Sequence, residues 1–309
     1  MYYKRENYKR GKRRGGQLKN QVELLIDAKV SLGGNPYWDQ ETEILYWIDM
    51  MGSKVSAYHP QSGTDHWLEV NQLVGAFIPR QSGGAVIALQ KGLYLLEPTT
   101  KEVISTFQPE PYLPETRFIS GTCDIAGRFW GGTFDGRNRK PWGTLYCMYP
   151  DYTVRPVLVN TTIPWGMAWN PDHTEMYFID SPTRQIVVFD FNPETGSLNN
   201  RRMAIDFTEQ PGFPAGMTID EEGKLWVAHW DGAQVSRWDP KTGTEIQTIN
   251  LPVSQVTSCI FGGTELDELY ITTGRYQLNE KEISRQPLAG GVFRIKPGVK
   301  GLPQPKFAG

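Results

Sequence analysis

The chain has 309 residues, of which 39% are hydrophobic, 21% charged and 12% aromatic, a composition that suits a large folded domain and excludes a mostly disordered chain. It has no apolar run of about 18 residues or more, which excludes a helical membrane span, and the N-terminus lacks the apolar stretch of a signal peptide, so a cytoplasmic protein is expected. Thirty-two Gly and 22 Pro are spread along the chain, as expected of many short elements joined by tight turns. Cys123, Cys147 and Cys259 are an odd number with no CxxC spacing, which argues against a disulfide framework or a structural zinc site and reads as buried thiols.

Residues 1–20 carry eight basic side chains against Glu6 alone, a net +7, which leaves −9 for residues 21–309 given the overall −2. The basic run is read as a flexible, solvated extension, with no nucleic-acid or membrane partner expected from it. From there on, six segments repeat a turn followed by an aromatic or β-branched strand. They are Leu45 to Asp49, Ala85 to Leu89, Arg128 to Gly132, Met176 to Asp180, Leu225 to His229 and Leu269 to Thr273. With Trp47, Ile87, Trp130, Phe178, Trp226 and Tyr270 as markers, the spacings are 40, 43, 48, 48 and 44, the period of one four-stranded propeller blade. A further strand follows each marker, and another precedes most of them after a small residue, as in Gly75 to Ile78, Gly121 to Asp124, Gly166 to Trp169, Gly216 to Ile219 and Ser258 to Phe261. These are predicted to be the innermost strands.

The predicted fold is all-β: residues 21–309 form a single six-bladed β-propeller, an architecture that leaves only short, protected strand edges. Val22 to Ile26 is the right length to complete the last blade and close the ring. Function is sought where the loops entering the inner strands converge on the central channel. Those loops are Leu32 to Pro36, Leu73 to Gly75, Arg117 to Gly121, Ile163 to Gly166, Phe213 to Gly216 and Thr257 to Cys259.

On these segments the chain resembles the group of gluconolactonases, senescence marker protein (regucalcin) and luciferin-regenerating enzyme. The resemblance rests on Tyr46-Trp47-Ile48-Asp49, Gly127-Arg128-Phe129-Trp130, Ile179 to Arg184, Asn199 to Arg202, Asp220 to Ala228, Thr257-Ser258-Cys259 with Phe261-Gly262-Gly263, and Ala289 to Phe293. It runs from about Val22 to Gly309. It implies a six-bladed propeller holding one divalent cation, such as Ca, Zn, Mg or Mn, at the channel mouth, and hydrolysis of sugar-acid lactones or related esters. The departures fall on the residues the resemblance assigns to the metal. Gly34 stands for a metal-binding Glu in Leu-Gly-Glu-Gly-Pro, Trp165 for an Asn in Ser-Asn-Gly, and Ala215 for an Asp in Pro-Asp-Gly that also serves as general base. Gly, Trp and Ala offer no side-chain oxygen to a hard cation, so no metal and no other cofactor is expected.

At the positions implied to touch substrate, Arg117 and Gly121 remain, while Ile119 and Ser120 replace Asn and Asp, and an acidic pocket residue falls, in a loosely aligned loop, at Arg137. The candidate catalytic residues are Arg117, to bind anionic oxygen in two-pronged fashion, and His229 with Asp231. In an extended strand His229 and Asp231 share a side, so the carboxylate would orient the imidazole as general base. Trp165 and Trp230 are read as apolar walls or as simple packing, and Arg275 as a further mouth residue or an interblade ion pair. The expected partner is a small molecule in the central channel, and the oligomeric state stays open. Two functions fit: a metal-independent enzyme of lactonase ancestry, or a non-catalytic binding protein with an apolar socket of Trp165, Ile119 and Ala215. Residual metal-dependent lactonase activity through Asn35 or Asp231 is the third.

Overall fold

A computed structural model describes residues 22–100, 102–113, 115–137 and 140–309; the basic run over 1–20 lies outside the described residues. The repeat resolves into twenty-four strands in six four-stranded sheets. The first strand, β1 (Glu23–Ile26), joins the last blade. Blade one is β2 (Gly33–Asp39), β3 (Ile44–Asp49), β4 (Lys54–His59) and β5 (Thr64–Glu69); blade two is β6 (Val74–Pro79), β7 (Ala85–Leu89), β8 (Gly92–Leu96) and β9 (Val103–Phe107). Blade three is β10 (Thr116–Cys123), β11 (Phe129–Asp135), β12 (Gly143–Met148) and β13 (Val154–Thr161); blade four is β14 (Pro164–Trp169), β15 (Glu175–Asp180), β16 (Gln185–Phe191) and β17 (Leu198–Asp206). Blade five is β18 (Phe213–Ile219), β19 (Leu225–Trp230), β20 (Gln234–Asp239) and β21 (Thr244–Asn250). Blade six is β22 (Val256–Gly262), β23 (Glu268–Thr273) and β24 (Val292–Ile295), with β1 on its outer edge.

The ring closes as the sequence predicts. Glu23 pairs with Arg294 and Leu24 with Phe293, and Arg294 bridges Glu23 and Glu268 at 3.0 and 3.3 Å. The marker residues all lie on second strands, and Trp47, Trp130, Trp226 and Tyr270 are fully buried. Their rings and those beside them join neighbouring blades: Trp130 meets Trp169 edge-on at 5.8 Å, Trp226 meets Phe261 at 5.8 Å, and Trp38 stacks on Tyr270 at 5.5 Å. Each buried ring contributes roughly 2–3 kcal/mol.

Two turns explain why a motif of Asp, Gly, a basic residue and Trp recurs. In blade three Asp124 accepts from the backbone N–H of Ala126 and Arg128, from the Arg128 guanidinium at 2.6 Å and from the Trp130 indole at 2.8 Å. In blade five Asp220 does the same for Glu222, Lys224, Trp226 and Arg237. Gly127 and Gly223 sit at φ +72° and +73° in these turns, where an L side chain is disfavoured. One short helix, α1 (Glu280–Arg285), interrupts blade six; it starts in a capping box of Asn279 and Glu282 that the strand repeat did not reveal.

The segment after blade six returns beneath the ring. Gly301 bridges to Asp220 and Phe307 to Arg80; the Phe307 N–H donates to Pro79 O at 3.0 Å and its carbonyl accepts from Gln81 N–H at 2.8 Å. The fully buried Phe307 side chain packs with Ile78, Phe118 and Met148. Phe307→Ala should therefore cost ~3–5 kcal/mol in urea unfolding; an unchanged midpoint would show that this segment rests on the ring without supporting it.

Candidate functional site at the channel mouth

All six inner strands break register at the same level. The ladder slips between Gly34 and Tyr37, Val74 and Ala76, Phe118 and Ser120, Pro164 and Gly166, Pro214 and Met217, and Val256 and Ser258. A bulge leaves a residue out of the ladder and re-aims its side chain, which is why bulges gather at sites. The residues left out include Asn35, Ile119, Trp165, Ala215 and Thr257, so three predicted pocket residues owe their direction to a bulge.

Carboxylates at the ends of second strands hold the entering loops. Asp180 accepts from the backbone N–H of Thr162 at 2.9 Å and Ile163 at 2.7 Å. Asp49 accepts from Gly52 N–H at 3.0 Å, and burial raises its pKa above the ordinary carboxylate value. Both acids are thus committed to loop structure.

The mouth itself is apolar. Trp165 and Trp230 pack at 5.6 Å between ring centres, tilted by 41°. Both touch the buried clusters on either side of the axis, one containing Met50 and Ile119, the other Ala215 and Val256. Gly34 is buried, and a Cβ placed there would lie 2.6 Å from Met50 Cε, so a thioether fills the space that a longer side chain at 34 would enter. Gly34 has no side chain, those of Trp165 and Ala215 bring no oxygen or free lone pair, and with Met50 seated over Gly34 these residues do not fit a divalent cation. Among the described residues no three His, Cys, Asp or Glu side chains gather as a metal group. Asn35 is spent on blade packing: its amide donates to Gly121 O at 2.6 Å and accepts from Phe77 N–H at 3.1 Å.

Arg117 brings the mouth its charge. Its guanidinium lies over the Phe134 ring at 4.9 Å and Nη2 approaches Met51 Sδ at 3.6 Å. Nη1 is buried with no hydrogen-bond partner, and Arg117 makes no ion pair among the described residues. Burial lowers its pKa from the ordinary arginine value, partly opposed by nearby Tyr276. Ser120 is buried and donates to Pro164 O at 2.6 Å.

Three placements differ from the sequence reading. His229 is fully buried; its ring packs on Phe207 at 4.6 Å, toward blade four. Nδ1 lies 2.9 Å from Pro211 O and Nε2 2.6 Å from Ser236 Oγ. A carbonyl only accepts, so Nδ1 carries the proton and Ser236 donates to Nε2 while accepting from the Trp238 indole N–H. Asp231 does not orient this ring: it is exposed and sits at φ +60°, where strand alternation has ended. Arg137 is exposed and pairs with Glu115 at 2.9 Å, a surface contact. Arg275 is half-buried, its backbone N–H donating to Ser31 O at 2.9 Å.

The profile of the SMP-30/Gluconolactonase/LRE-like region matches residues 32–275. The chain belongs to this family. Regucalcin of Danio rerio is 36% identical over 292 residues, covering 93% of this chain and 98% of that one. The structure of luciferin-regenerating enzyme superposes with a TM-score of 0.87 at 31% identity, covering 94% of this chain and 99% of that one. A calcium-binding regucalcin from Agrobacterium tumefaciens gives a TM-score of 0.89 at 25% identity, covering 94% and 98%. The family supports a lactonase-type ancestry, and the fold of this member is the six-bladed propeller. No helix among the described residues is long and apolar enough to cross a membrane.

Burial pushes the His229 pKa down to about 4 from 6.5. Between those values the unfolded chain takes up a proton that the folded chain refuses, so the stability contribution is complete above pH 6.5 and lost as pH falls toward 4. The loss approaches ~3 kcal/mol, read by urea unfolding across that window. His229→Gln should flatten the dependence; an unchanged slope in that variant would place the titrating group elsewhere.

Proposed function

We propose that this propeller binds a small organic anion at its channel mouth, without a divalent cation, and that Arg117 holds the anion's oxygens. The carrying observation is the half-buried Arg117 guanidinium, whose buried Nη1 has no partner and which forms no ion pair among the described residues. A buried unpaired charge costs stability, and a carboxylate returns that cost through paired, charge-assisted hydrogen bonds. Trp165, Ile119 and Ala215 give the carbon skeleton of the ligand an apolar socket, with Trp230 behind Trp165.

The reading is of a small-molecule-binding member of a lactonase lineage. Catalysis needs a group to activate water, and the mouth geometry favours none: His229 turns toward blade four, while Asp49 and Asp180 hold loops. Metal-independent lactone hydrolysis is the second reading, favoured by family membership. The three buried free cysteines suit the cytoplasmic location that goes with either.

The test is calorimetry with gluconate and with benzoate in the presence of a chelator, joined to thermal melting of Arg117→Met. The account expects chelator-resistant carboxylate binding in the native protein. In Arg117→Met it expects lost binding together with a gain of up to ~1 kcal/mol in stability, because a half-buried, unpaired charge gives way to a thioether of similar reach. Retained binding in that variant, or a lower melting temperature, would contradict the assignment. Lactone turnover that survives chelation would favour the enzymatic reading.

A further inference from the structure

Tyr276 reaches the mouth from blade six, in the loop that runs from the end of β23 to α1. Gln255, at the entrance to β22 and only 4% exposed, pins it from the neighbouring loop. The Gln255 side chain accepts from Tyr276 N–H at 2.7 Å and donates to Tyr276 O at 2.9 Å, and the Gln255 backbone carbonyl accepts from Gly274 N–H at 2.8 Å. A buried amide that satisfies both backbone groups of one residue fixes the point from which that residue's side chain departs.

The Tyr276 ring packs on the buried cluster that contains Met50 and Ile119, as Met51, Trp165 and Trp230 do, and all four of these side chains are half-buried. Met51 is the residue whose sulfur meets Arg117 Nη2, and Tyr276 is near enough to Arg117 to act on its charge. The Tyr276 hydroxyl has no hydrogen-bond partner among the described residues and, unlike Arg117 Nη1, is not sealed from solvent. It is therefore a free donor beside an unpaired guanidinium. The polar side chains at the inner-strand entrances are otherwise spent: Asn35 on Gly121 and Phe77, Ser120 on Pro164, Gln255 on Tyr276, and Thr257 on Thr272.

We propose, resting on the reading of Arg117 given above, that Tyr276 is the second binding residue for the anion: its phenol donates to one oxygen of a carboxylate while Arg117 holds the other. The class of acid follows from what surrounds that pair. Met51, Trp165, Trp230 and the Tyr276 ring offer the body of the ligand carbon, sulfur and aromatic faces, which suits an aryl or alkyl carboxylate. The hydroxyls of a sugar acid would leave water for a collar whose neighbouring amides and hydroxyls are already bonded, and a polar group buried without a partner is costly. Gln255 is a positioning residue that acts through Tyr276.

The experiment is calorimetry of the full chain with benzoate, hexanoate and gluconate in the presence of a chelator. The native protein is expected to bind benzoate and hexanoate at least ~10-fold more tightly than gluconate. Tyr276→Phe keeps the ring and removes the donor; it should weaken benzoate ~10-fold and leave the melting temperature of the ligand-free protein unchanged. Gln255→Met should weaken benzoate in the native background and add little in the Tyr276→Phe background, the non-additivity of one residue acting through another. If Gln255→Met does not fold, Tyr276→Phe decides the matter. Loss of benzoate in Arg117→Met with native affinity in Tyr276→Phe would overturn this inference and leave the reading of Arg117 standing, as would gluconate binding as tightly as benzoate. No carboxylate binding by the native protein would overturn both.

Discussion

The contact of Trp165 with Trp230 governs what this channel can do. A propeller brings six inner strands together around one axis, and something must occupy the point where their bulges aim side chains inward. An indole placed there is too large to share the axis with a hydrated cation, and it brings no lone pair to coordinate one. The same indole lines a cavity that reaches down to the returning C-terminal segment, with no arginine or lysine in its walls.

The rest of the mouth is adjusted to that pair of indoles. Met50 fills the space over Gly34, Ile119 takes an inward bulge position, and Ala215 adds only a methyl group. Arg117 is then a cation in an apolar setting, steadied by the Phe134 face and the Met51 sulfur but not neutralised by a carboxylate. On the function proposed above, this setting suits an anion in place of a divalent metal. Of the buried acids, Asp124 and Asp220 work within blades, where they tie turns to Trp and Arg side chains.

Much of this was legible in the sequence because it is periodic. Buried second-strand aromatics recur at blade spacing, and β1 announces itself by length and position, so the ring, its closure and the converging loops follow from pattern alone. The apolar replacement of Gly34, Trp165 and Ala215 was readable through the resemblance to the family, and all three sit at or beside the inner-strand bulges. What failed was direction at fine scale. His229 and Asp231 were placed together by strand alternation, but the strand ends at Trp230, the left-handed conformation of Asp231 breaks the alternation, and Pro211 O from the preceding loop captures the imidazole. Arg137 is drawn to Glu115, a contact that spacing does not encode. The bulges have only a faint sequence signal, a residue before Gly in Pro-Trp-Gly and Pro-Ala-Gly, and the returning C-terminal segment has no periodic signature.

The central claim is that carbon at the axis removes the cation, and equilibrium dialysis against calcium and zinc tests it most directly. The native protein is compared with a variant carrying Gly34→Glu, Trp165→Asn and Ala215→Asp, with Met50→Ala to clear the space above position 34. The account predicts no bound ion in the native protein and one equivalent in the rebuilt one. A stoichiometric ion on the native protein that the anion-site variant Arg117→Met also retains would contradict it, as would a rebuilt mouth that stays folded and takes up nothing.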